Sequence, residues 1–155
     1  MNVISIALIE DEIPKRDSIH SFINDFLPDA NILEARAVKS ARALIRARKV
    51  DLLLLDMSLP TFEITESDPG GRPQGLGGVE LMMYMIKDGC ESPVIVVTGY
   101  QEFSEKSRYM SLESLKKELS LEFPSIFKGL VSFNVLSDEW KIHLNELIKG
   151  VFFND

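Results

Sequence analysis

Asp51-Leu52-Leu53-Leu54-Leu55-Asp56-Met57-Ser58-Leu59-Pro60 sets four consecutive leucines between two aspartates. A short apolar run without in-out alternation fits a strand covered on both faces, as in a parallel sheet. Residues 3–9 and 93–97 read the same way, and weaker runs at 32–38 and 130–135 have similar lengths. Helical patterns lie between them. Ile19, Phe22, Ile23, Phe26 and Leu27 recur at spacings of three and four, with Pro28 as the stop. Ala41, Leu44 and Ile45 follow Ser40, a candidate N-cap. Val79, Met82, Met83 and Ile86 form a third face closed by Gly89; Leu112, Leu115 and Leu119 form a fourth, ended by Phe123-Pro124. A fifth stripe, Trp140, Leu144, Leu147, Ile148 and Val151, follows Ser137 as its cap. Strand and helix alternating in this way predict a doubly wound α/β sheet.

Composition narrows the class. The chain has 155 residues, 45% of them apolar, which suits one domain spanning 1–155 with a sizeable core. Seventeen Lys+Arg against 24 Asp+Glu give a net charge of −7, the wrong sign for direct nucleic-acid binding or a polybasic membrane contact. A lone Cys90 excludes an internal disulfide framework and a cysteine-based zinc site, and makes a reducing cytoplasm the expected compartment. No apolar run approaches the ~20 residues of a membrane span. The first residues run straight into Glu10-Asp11-Glu12 without a basic flank, unlike a signal peptide. Two stretches exceed a minimal alternation: a turn-rich loop at 61–77 and a long segment at 101–127.

Ligands of open parallel sheets bind outside the carboxyl ends of the strands. Glu10-Asp11-Glu12 ends the first predicted strand, Asp56 the third and Thr98-Gly99 the fourth. Neighbouring strands therefore bring Glu10, Asp11 and Asp56 together. Carboxylates so placed raise one another's pKa unless a cation lies between them. Mg²⁺, a hard ion that takes a few carboxylates plus waters and phosphate oxygens, answers that need. The alternative is three solvated loop acids.

The order Ala7-Leu8-Ile9-Glu10-Asp11-Glu12, then Asp51 through Pro60, then Gly78-Val79-Glu80-Leu81, then Ser92-Pro93-Val94-Ile95-Val96-Val97-Thr98-Gly99 resembles the receiver domain of bacterial two-component response regulators. The resemblance covers most of residues 2–100 and returns faintly at 130–151. It implies a flavodoxin-like five-stranded parallel sheet of order 2-1-3-4-5. It also implies Asp56 as phosphoacceptor, and Glu10, Asp11, Asp56 and the backbone carbonyl of Ser58 as Mg²⁺ ligands, with Thr98 as the switch hydroxyl. The implied partners are a sensor histidine kinase or phosphotransfer protein and an output protein, with a homodimer left open. The chemistry agrees: a carboxylate nucleophile forms an acyl phosphate, and such transfer needs mainly positioning and charge neutralisation.

The sequence departs from that family in four places. Receivers end the fifth strand with Lys-Pro; none occurs here, and Asn134-Val135 falls at that site, so one charge-assisted contact is missing. A shifted register would nominate Lys128, which on this reading precedes the strand. The switch aromatic falls on Val131, with Phe133 as plain core. The loop at 61–77 inserts beside Asp56, either as a surface excursion or as a flap whose Arg72 supplies a cation, and 101–127 extends the fourth-helix region, altering an output surface.

Two other functions compete. A pseudo-receiver would keep the fold and signal without phosphate, as Asn134 favours. A metal-dependent phosphohydrolase would need a second acid two residues past the nucleophile, where Ser58 stands. The receiver is therefore expected to do no chemistry beyond its own phosphorylation and slow autodephosphorylation. His20 and His143 read as surface residues, Met82, Met83 and Met85 mainly as helix packing, and Cys90 as inert.

Overall fold

The computed structural model describes residues 3–62, 77–99 and 111–153. The Arg72 flap and residues 100–110 of the extended fourth-helix region lie outside them. The elements run β1 (Ser5–Ile9), α1 (Ile13–Phe26), β2 (Asn31–Ala35), α2 (Val38–Ala47), β3 (Leu52–Leu55), α3 (Gly77–Asp88), β4 (Val94–Thr98), α4 (Leu112–Glu122), β5 (Phe127–Ser132) and α5 (Glu139–Phe152). All strand pairs are parallel, in the order β2-β1-β3-β4-β5. This is the flavodoxin-like sheet that the sequence predicts.

Strand side chains alternate between two cores. Ala7, Ile9, Leu53, Leu55, Val94 and Val96 pack with α2, α3 and α4, while Ile6, Leu8, Leu52, Leu54, Ile95 and Val97 pack with α1 and α5. Both faces are covered, which is why the central strands β1, β3 and β4 are apolar but for Ser5 and Thr98 at their ends. Asp51 clips the start of β3 to β1: Ser5 N–H donates to its carboxylate at 2.8 Å.

Four boundaries or faces differ from the sequence reading. β2 ends at Ala35, and Val38 opens α2 rather than closing the strand. Ser40 lies inside the first turn of α2, because the carbonyls of Pro60 and Thr61 accept the N–H groups of Val38 and Lys39 and start the helix earlier. On α3 the buried side is Leu81, Met82 and Met85; Met83 and Ile86 are exposed. Gly77 and Gly78 also face inward, so the buried stripe runs one step from the Val79–Met83 line.

β5 starts at Phe127, three residues earlier than the apolar run suggests, and stops at Ser132. Lys128 therefore lies within the strand, exposed, rather than before it. Pairing with β4 jumps from Val94↔Phe127 to Ile95↔Gly129, a bulge that leaves Lys128 out of the ladder. Gly129 faces α5, where a Cβ would meet the Leu147 side chain at 2.7 Å. The polar and small pair Lys128-Gly129 hides the strand's beginning from an apolar-run reading.

Among the described residues, no helix is long and apolar enough to cross a membrane. On α4, Leu115 and Leu119 are buried and Leu112 packs beside them in the core, as the spacing predicts.

Candidate functional site

Three strand ends meet at the site. β1 delivers Glu10 and Asp11, β3 delivers Asp56, and β4 ends in Thr98. Asp56 N–H donates to the Ile9 carbonyl at 3.1 Å and Glu10 N–H to the Ala35 carbonyl at 3.0 Å, so backbone bonding fixes both strand ends. One carboxylate oxygen each from Glu10, Asp11 and Asp56 lies within 4.8 Å of the others. Glu10 and Asp56 are buried and Asp11 half-buried. The convergence predicted from strand ends is present.

Gly77 and Gly78 bring α3 hard against the turn after Asp56. Gly78 N–H donates to the Met57 carbonyl at 3.0 Å. A Cβ at Gly78 would lie 2.7 Å from the Asp56 carbonyl oxygen, and one at Gly77 would lie 2.2 Å from that of Leu59. Only a bare backbone fits there.

Thr98 is fully buried, and its Oγ1 donates to Asp56 Oδ1 at 3.2 Å. Ser58 is buried, and its hydroxyl has no hydrogen-bond partner among the described residues. Asn134 lies beyond β5 and is exposed; its Oδ1 accepts the Leu136 N–H at 2.9 Å, a turn contact. Phe133 is half-buried, its ring 4.9 Å from that of Trp140.

A residue absent from the sequence reading completes the site. Lys15, on the first turn of α1, is 1% exposed. Its Nζ lies 2.8 Å from Glu10 Oε1 and donates to Asp56 Oδ1 at 3.1 Å. The Phe133 ring walls it, 5.8 Å from Nζ to the ring centre. The signal was available: Lys15, Ile19 and Ile23 are spaced by four and share the buried face of α1. The helix begins at Ile13, with Pro14 in the first turn, where a missing N–H costs nothing.

Two buried carboxylates thus share one ammonium. Burial pushes the Glu10 carboxyl up to about 8; the Asp56 charge adds to the rise, and Lys15 and the Glu12 N–H, 2.9 Å from Oε2, oppose it. The donor set is all hard oxygen, clustered and partly reachable through Asp11, and it fits a divalent metal ion. An ion held by Glu10, Asp11 and Asp56 would place positive charge at the carboxyl ends of β1 and β3.

The histidines and cysteine do not join this site. His20 Nδ1 lies 2.8 Å from Glu34 Oε2 on the outer side of α1, and Cys90 is half-buried with its Sγ 3.5 Å from Ser92 Oγ.

No family model matches the chain. It is 28% identical over 148 residues to the Detocs response regulatory protein DtcB of Enterobacter cloacae, covering 94% of this chain and 97% of that protein. It is 26% identical over 136 residues to the protein y4jR of Sinorhizobium fredii, covering 86% and 89%. Among solved structures, it superposes on the phosphorylated cyanobacterial phytochrome response regulator RcpA with a TM-score of 0.70 at 15% identity, covering 99% of this chain and 97% of that one. A response regulator receiver domain protein from Methanospirillum hungatei gives 0.64 at 19% identity, covering 97% and 94%. The chain has the receiver-domain fold of response regulators.

Proposed function

We propose that the chain is a signal-transduction receiver that accepts a phosphoryl group on Asp56 with the help of Mg²⁺. The observation that carries the reading is the meeting of three carboxylates with the Thr98 hydroxyl: Glu10, Asp11 and Asp56 lie within ligand-sharing distance, and Thr98 Oγ1 stands 3.2 Å from Asp56 Oδ1. Glu10, Asp11, Asp56 and the Ser58 carbonyl hold the metal in this reading. Thr98 reports the state of Asp56, since a buried β-branched hydroxyl has few rotamers to choose from. Asn134 is exposed and its Oδ1 accepts the Leu136 N–H, so its Nδ2 is the only donor it can offer the transfer, and it brings no charge. The phosphoryl donor is a sensor histidine kinase or phosphotransfer protein, and the output passes through protein–protein contacts in the cytoplasm. The response regulatory protein among the relatives supports this class.

A pseudo-receiver is the second reading. Lys15 favours it, because its ammonium bridges Glu10 and Asp56 and so competes with a metal for both carboxylates.

Intact mass after incubation with Mg²⁺ and a small acyl phosphate separates the two. The receiver gains one phosphoryl adduct, lost in Asp56→Asn and on removal of Mg²⁺. A wild-type chain that stays unmodified is a pseudo-receiver, and rapid turnover of the donor without an adduct marks a hydrolase.

A further inference from the structure

We propose that Lys15 is the cation of this site before and after transfer: it bridges Glu10 and Asp56 beforehand, pairs with the phosphoryl oxygens afterwards, and opposes Mg²⁺ while doing so. The proposal rests on the reading of Asp56 as phosphoacceptor.

Position comes first. The Lys15 stem descends along the buried face of α1, above Ile19 and Ile23, and its ammonium ends between two carboxylates. Lys15 and Thr98 both donate to the same oxygen, Oδ1 of Asp56. Any group bonded to Asp56 therefore arrives beside two donors already aimed at it, one of them charged. Phe133 closes the far side of the ammonium with its ring face.

Charge comes second. With an acyl phosphate donor, an Asp56 oxygen–phosphorus bond forms. The bond from phosphorus to the donor's carboxylate oxygen breaks with its electron pair, and the carboxylate leaves as an anion. Asp56 carries one negative charge before the step, and its phosphoryl group carries two afterwards. A buried site must answer that added charge. Thr98 and Asn134 bring none, whereas a lysine ammonium on a flexible stem moves from carboxylate to phosphoryl oxygen by small side-chain rotations.

Competition follows from the same contacts. A divalent ion held by Glu10 and Asp56 would share those two carboxylates with a like-charged ammonium. Lys15 thus weakens metal binding while strengthening phosphoryl retention, two effects of opposite sign on one residue.

That opposition is the test. Wild type, Lys15→Met and Lys15→Arg are compared in Mg²⁺ titration calorimetry, in occupancy by beryllofluoride (a phosphoryl-like group that adds to a carboxylate oxygen), and in phosphoryl adduct formation from an acyl phosphate. Lys15→Met is expected to bind Mg²⁺ more tightly by roughly tenfold or more. Its beryllofluoride occupancy and adduct formation should fall roughly ten- to a hundredfold, the worth of a charge-assisted hydrogen bond. Lys15→Arg should retain most of both. Where Lys15→Met does not fold, Lys15→Gln makes the same comparison. Unchanged beryllofluoride occupancy and adduct in the neutral variant overturn the proposal and leave the receiver reading standing. Joint weakening of Mg²⁺ and beryllofluoride overturns it too, as the mark of a merely structural role. A wild-type chain that takes no adduct overturns the receiver reading and this proposal with it.

Discussion

The ammonium of Lys15 stands 2.8 Å from Oε1 of Glu10, both side chains almost wholly shielded from solvent. Even so, burial and the Asp56 charge outweigh that contact and raise the Glu10 carboxyl to about 8. One ammonium does not hold two buried carboxylates ionised at neutral pH.

This sets a pH dependence for the metal-free protein. The folded state keeps a proton on Glu10 that the unfolded chain releases near 4.5. Its stabilising contribution is complete below that value and is lost as pH rises through about 8. Urea unfolding in a chelator at pH 5 and pH 8 should show a drop on the order of a few kcal/mol, flattened in Glu10→Gln. Added Mg²⁺ must displace that proton, so calorimetry in two buffers of different ionisation heat should detect proton release, with affinity rising as pH rises.

Two glycines make opposite predictions. At Gly78 a methyl group would collide with the Asp56 carbonyl oxygen and the Met57 side chain. Gly78→Ala should destabilise by about 1–3 kcal/mol in urea unfolding, the usual cost of overpacking. At Gly150, within α5, nothing lies within 4 Å of the added carbon. Gly150→Ala should stabilise by roughly 0.5–1 kcal/mol through helix propensity alone.

On α4, Leu115 is 1% exposed and Leu121 is 72% exposed. Leu115→Ala should cost about 2–5 kcal/mol by opening the core beneath the helix. Leu121→Ala should change the melting midpoint by an amount equivalent to within about 0.5 kcal/mol. Equal losses at both positions would mean that the helix sits differently on the sheet.

Much of the fold was legible because burial on both faces leaves strands such as Leu52–Leu55 with no polar residue to confuse the reading. The acids of the site were legible for a related reason: polar residues directly after such strands have few places to go but the sheet's carboxyl edge. Lys15 was not, since a lysine is ordinarily taken as solvated and its neighbours Glu12, Arg16 and Asp17 are charged too. Only its spacing to Ile19 and Ile23 betrays it. Ser40 misled by position: its hydroxyl accepts the Ala37 N–H from inside the first turn, while carbonyls of a distant turn, Pro60 and Thr61, take the N–H groups of Val38 and Lys39 and start the helix earlier. The face of α3 was misjudged because Leu81, Met82, Met83, Met85 and Ile86 are apolar nearly all round, and tight seating of Gly77 and Gly78 decides the rotation.

The irregularity at Lys128 has a bearing on how copies of this chain meet. β5 borders the sheet, and an unbroken, flat border strand invites another strand to dock alongside it and prolong the ladder. Here the extra residue kinks that border and plants a charge on it. Prolonging the ladder into another copy is thereby disfavoured along β5, where side chains and flanking helices are left to make any such contact.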